Sequence, residues 1–168
     1  MDELRNNPQI IRLLETLEEN GMHKEKGEVS ALVSYIGDME HTLSAMLAEM
    51  QEMRKEVNMI HNSSVKAKCE KLIHTADSKI RQGIETVSKA KNNLIASAAN
   101  AVKVFKEKGK EAFKNSINAM KISDTLDKLG KVLYRIHKHK RINTVERTVL
   151  PSRNLRHYLF ADFTDKLG

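Results

Sequence analysis

The sequence has one cysteine, two prolines, seven glycines and no tryptophan. A single thiol, Cys69, excludes an internal disulfide framework and fits a reducing compartment. So few glycines and prolines cannot supply the repeated turns of a β protein. Aromatic residues make up only 4% of the chain, too few for a large aromatic-filled core. No apolar run approaches the ~20 residues needed to span a bilayer. The opening Met1-Asp2-Glu3-Leu4-Arg5 lacks the basic start and apolar centre of a signal peptide. The expectation is a cytoplasmic protein without a membrane span.

Catalytic signatures are missing as well. The histidines, His23, His41, His61, His74, His137, His139 and His157, form no His-Glu-x-x-His pattern and stand beside no cysteine pair. There is no glycine-rich phosphate loop. Glu18-Glu19 and Asp162 with Asp165 are carboxylate pairs of the kind helices usually leave solvated. No catalytic residue, metal ligand or cofactor is expected, and the chain reads as non-enzymatic. Cys69 falls on an apolar face, which suits a buried structural thiol better than a nucleophile.

What the sequence does contain is charge, 30% of residues, interleaved with Ala, Leu, Met and Ile. That composition suits helices packed along narrow seams. The net charge of +7 is divided unevenly. Residues 1–62 carry 12 acidic and 6 basic side chains, and residues 63–168 carry 10 and 23. Either the two parts attract each other or the basic part meets an anionic partner.

Periodicity supplies the architecture. Asn7 can cap a short first helix with Pro8 in its first turn and Ile10, Ile11, Leu14 and Leu17 as its stripe. Asn20-Gly21 would end it. Val29, Leu32, Ile36, Met39, Leu43, Met46, Met50, Met53, Val57 and Ile60 then alternate spacings of three and four without a break. This is a heptad seam, and it predicts a coiled-coil-like helix on the order of 50 Å long. Its methionines could form an adaptable groove for a partner, but an intramolecular core is the stronger reading, because the next helix offers a matching stripe. Asn62-Ser63-Ser64 breaks the pattern, with Ser64 able to start the next helix.

Cys69, Ile73, Ala76, Ile80, Ile84, Val87, Leu94, Ala98, Ala101 and Phe105 form that second stripe. The pattern puts Lys66, Lys68, Lys71, Lys79, Lys89 and Lys91 on the opposite face, where the acidic flanks of the preceding helix would meet them. Gly109 should bend or stop the helix. Ala112, Phe113, Ile117 and Met120 resume it, and Ser123-Asp124 marks a further N-terminus. Pro151 ends the next segment, and a last short stretch carries Tyr158, Phe160 and Phe163.

The expected fold is all-α, a long antiparallel hairpin with shorter flanking helices. Residues 1–22 would hold the short N-terminal helix, 24–121 the hairpin with its turn near 62–64, and 123–168 a basic helical region. Together they would make one structural unit.

Asn7-Pro8-Gln9-Ile10, the stretch Leu13-Leu14-Glu15-Thr16-Leu17-Glu18-Glu19-Asn20-Gly21-Met22, Leu32-Val33-Ser34-Tyr35-Ile36 with Met39-Glu40, and Phe105-Lys106-Glu107-Lys108-Gly109 carry a resemblance. The chain resembles an uncharacterised family, a domain of unknown function encoded on integrative conjugative elements of Gram-positive gut bacteria. The likeness covers residues 4 to 133 or so, leaving the basic run and aromatic tail outside it. It implies a mobile-element context and transfers no activity, ligand or site residue.

Three functions fit these features. The first is a helical accessory protein that binds another protein, with a homodimer also open. The second is sequence-independent binding of DNA or RNA by Lys131, Arg135, Lys138, Lys140, Arg141, Arg147, Arg153 and Arg156, which could neutralise phosphates. Against it stands the ordinary solvated helix end. The third is an inhibitor of a host defence nuclease, although a mimic of nucleic acid should be acidic and only residues 1–62 are.

Overall fold

The computed structural model describes residues 3–137. Among them are four α-helices and no strand: α1 (Pro8–Glu19), α2 (His23–Asn58), α3 (Ser63–Ala119) and α4 (Ile122–His137). The all-α expectation is met. Of the basic helical region expected over 123–168, the part from residue 138 onward, including the stretch after Pro151, lies outside the described residues.

Local chemistry explains the boundaries. Asn7 caps α1 by accepting from the Gln9 N–H at 2.9 Å, and Pro8 fills a position that needs no donor. Gly21, at φ 70°, provides the left-handed residue that ends it. At the start of α3 the cap is Asn62 rather than Ser64: its Oδ1 accepts from the N–H groups of Ser64 and Val65 at 3.1 and 3.2 Å. Asn competes at least as well as Ser for this position.

α3 is broken at Gly109, where φ 78° and ψ −171° lie far from helical values. This region is essentially reserved for glycine. A Cβ built there meets nothing within 4 Å, so the cost of any side chain is conformational rather than steric. Gly109→Ala is expected to lose about 1–3 kcal/mol of stability, read from urea unfolding. No loss, or the gain of about 1 kcal/mol that Gly→Ala brings at an ordinary helical position, would show that the break is dispensable.

The described chain divides into two compact units. The first contains α1, α2 to Leu43, α3 from Gly83, and α4 to Val132. Here the Lys110 Nζ donates to the carbonyl of Asn20, just before α2, at 2.8 Å, while Lys91 meets Glu40 within α2. Later residues of α3 thus face earlier residues of the chain, and the two helices run antiparallel. Ile10, Leu13 and Leu17 are buried on α1. Ile11 is exposed and Leu14 half-buried, which corrects the expected stripe. Leu13 lies three residues after Ile10 and four before Leu17, and this spacing selects the face.

The second unit pairs α2 from Ser44 with α3 to Gln82, joined by the turn at Met59–Asn62, and includes α4 from Leu133. The heptad seam of α2 is buried along Val29, Leu32, Ile36, Met39, Leu43, Met50, Met53 and Val57, with Met46 and Ile60 half-buried. The methionine stripe thus serves mainly as core.

Candidate functional site

The basic residues singled out on sequence separate into two groups. Lys131 and Arg135 are exposed on α4, four residues apart and on one face with Lys128. Lys138, Lys140, Arg141, Arg147, Arg153 and Arg156 lie outside the described residues.

The charged groups that the helices do bring together are others. Extending the α3 spacing of three and four from Ile73 gives position 77, then Ile80, Ile84, Val87, position 91 and Leu94. The two remaining positions hold Asp77 and Lys91. Each is a charged residue in an otherwise apolar seam, two heptads apart. The stripe drawn through Ala76 passes over Asp77, and the apolar pattern puts Lys91 on the solvent face. Ala76 is half-buried and Asp77 buried, while the Lys91 side chain is only 18% exposed. The gap between Val87 and Leu94 is the signal for this, since a continued heptad must place something there.

In the first unit, Lys91 Nζ donates to Glu40 Oε1 at 3.1 Å and Glu3 Oε2 at 3.2 Å. Burial alone pulls an ammonium pKa down, but hydrogen bonds to the two carboxylates outweigh it and hold Lys91 above its usual value.

In the second unit, Asp77 Oδ2 accepts from Arg81 Nε at 2.9 Å and faces Arg54 Nη2 at 3.2 Å. The aspartate side chain is 11% exposed, whereas Arg54 and Arg81 are 46% and 57% exposed. Asp77 Oδ1 is buried and has no hydrogen-bond partner.

The Arg81 hydrogen bond, helped by the charge of Arg54, holds the Asp77 carboxyl below the usual aspartate value of 3.8 despite its burial. A depressed carboxyl stabilises the fold above the unfolded value and loses that contribution as pH falls through the folded one. Asp77→Asn should therefore melt lower than wild type at neutral pH. The difference should shrink as pH falls below 3.8, as followed by circular dichroism; a difference constant with pH would contradict it.

These clusters also revise the expected pairing of an acidic α2 with a basic α3. Glu40 and Lys91 have that sense, but Arg54 and Asp77 have the reverse. Lys68, Lys71 and Lys89 remain exposed, and Lys89 pairs within its own helix with Glu85. Salt bridges at the seam are selected by which side chains flank it, and net charge of a segment does not decide them.

Polar residues inside a seam cost stability but distinguish one register from its neighbours. Slipping one helix past the other by a heptad would carry Glu40 away from Lys91 and Arg54 away from Asp77, leaving Asp77 only Arg81 of its own helix. Cys69 is buried too, and desolvation raises its thiol pKa. Thiol reagents should label native Cys69 far more slowly than the unfolded chain; equal rates would refute its burial.

A family model matches residues 6–148. The chain belongs to DUF6674, a family of unknown function. The DUF6674 match takes in all four helices and extends through the basic run His137–Arg141. It therefore reaches beyond the limit near residue 133 set by the resemblance, and stops before Pro151. No curated protein and no solved structure matches the chain. Among the described residues, no helix is long and apolar enough to cross a membrane.

Proposed function

We propose that this DUF6674 protein is a non-enzymatic, cytoplasmic accessory protein of a mobile genetic element, and that it binds another protein through its helical surfaces. The observation that supports this reading most directly is Met59. It lies in the turn between α2 and α3 and is 69% exposed. The seam methionines Met50 and Met53 are buried close by in sequence. A single exposed apolar residue is common on protein surfaces, but a flexible thioether at a hairpin turn suits contact with a partner that varies in shape.

The test is capture from a host lysate with and without nuclease, using the full chain and Met59→Glu. A defined protein retained after nuclease treatment by wild type, and lost with Met59→Glu at unchanged thermal stability, is the expected result. Retention independent of Met59 would remove the turn as the contact. Size-exclusion chromatography with light scattering tests the remaining candidate, a second copy of the chain.

The second reading, sequence-independent binding to DNA or RNA, is favoured by the shared exposed face of Lys128, Lys131 and Arg135 and by the inclusion of the following basic run in the family match. Affinity would fall steeply with salt as counterions are released. Changing Lys138, Lys140 and Arg141 together to Ala would then reduce the salt slope. Absence of any gel shift at ~50 mM salt would end this reading.

A further inference from the structure

We propose that Arg54 and Arg81, oriented by the buried Asp77 carboxylate, form a binding site for a phosphate group. The register function of Asp77 needs only enough positive charge to neutralise one carboxylate. The second unit supplies two guanidinium groups, and the cluster retains a charge of one positive unit. Both contacts fall on the same oxygen, Oδ2, through one nitrogen from each arginine. Oδ1 has no partner, so neither guanidinium grips the carboxylate with two parallel N–H groups, as Arg–carboxylate pairs often do.

A guanidinium has five N–H donors in a rigid fork. Most of those on Arg54 and Arg81 are left for a ligand, and both side chains are about half-exposed. The contacting nitrogens can be no more than about 6 Å apart, since both lie within hydrogen-bonding or ion-pair reach of a single atom. One turn after Arg81 on α3, Glu85 accepts from Lys89 at 2.6 Å and so already has its own cation.

Two forks presented close together, with net positive charge, match the oxygens of a phosphate better than a single cation does. Asp77 contributes indirectly: it is a positioning residue, holding the two arginines on opposite helices at one point of the hairpin. The ligand chemistry is a phosphate group, supplied either as free or terminal phosphate or as the diester of a nucleic-acid backbone. The site uses neither Met59 nor Lys128, Lys131, Arg135 and the basic run that follows α4, so it is separable from both readings of the proposed function.

The test follows the Arg Nε–Hε resonances of the full chain by NMR during titration with inorganic phosphate. Sodium chloride at matched ionic strength is the control, and oligothymidylate without terminal phosphate is a second arm. The expected result is a saturable shift of the Arg54 and Arg81 signals with phosphate, while exposed Arg12 on α1 stays unchanged. Arg54→Lys and Arg81→Lys keep the charge but lose the fork, and each should weaken binding by roughly tenfold. A saturable shift of the same two signals with oligothymidylate identifies the diester of a nucleic-acid backbone as a ligand; a shift confined to phosphate identifies free or terminal phosphate. No saturable shift in either arm, or equal shifts at Arg12, would overturn the site, and this readout on wild-type protein does not depend on the variants folding.

Discussion

Leu43→Asp is expected to destabilise the protein by at least about 4 kcal/mol, enough to leave much of it unfolded at physiological temperature. Leu43 is fully buried in the α2 seam. Its neighbours at three- and four-residue spacing, Met39 and Met46, are apolar, and so are Ile36 and Met50 one heptad away. The exchange removes the burial of an aliphatic side chain and asks an aspartate to enter the same space. Two outcomes are open to the carboxyl group. It can become protonated, at the free-energy cost of a large upward pKa shift, or the helices can part to admit water.

Asp77 provides the internal comparison. It occupies a seam position and is tolerated because Arg81 and Arg54 reach its Oδ2. Urea unfolding should show the loss for Leu43→Asp, while Leu43→Met, which nearly conserves volume, should cost less than about 1.5 kcal/mol. An unchanged melting temperature for Leu43→Asp would mean that the seam is not a buried interface.

The α2 seam is also the most legible element of the amino-acid sequence. An alternation of three and four that runs from Val29 to Ile60 has one economical physical solution, a helix with one buried edge, and burial follows it closely. Helix ends are legible where a residue has a single strong preference: Asn7 with Pro8, Gly21, and Gly109. They are less so at Asn62-Ser63-Ser64, where three adjacent residues can all cap and the hydrogen-bond geometry selects among them.

The charged seam positions are harder for a different reason. Hydrophobic periodicity treats Asp and Lys as solvent-facing, and only their partners make burial tolerable. Those partners, Glu3 and Glu40 for Lys91 and Arg54 for Asp77, come from outside α3. Pairing of that kind depends on register, which a stripe of apolar residues does not specify on its own. The arginine pair at Asp77 belongs to just this part of the molecule, the part least accessible to pattern.

Phe113→Ala is expected to cost about 3–5 kcal/mol. Phe113 is fully buried and follows the break at Gly109 by one turn of helix. Its ring lies 5.3 Å from that of Phe105 between centroids, with the planes inclined at 60°. The two rings therefore meet across the change in direction, one from each side of Gly109. This is a tilted aromatic pair at a favourable separation, worth about 0.5–1.5 kcal/mol beyond the burial of its surface. Phe105 is half-buried, so Phe105→Ala should cost less than Phe113→Ala. The double variant should cost less than the two single losses combined, because the shared contact can be lost only once. Equilibrium unfolding of the four proteins in the cycle measures this coupling directly. Strict additivity would show that the rings are neighbours without a specific interaction. A loss below about 1 kcal/mol for Phe113→Ala would contradict its place in a close-packed core.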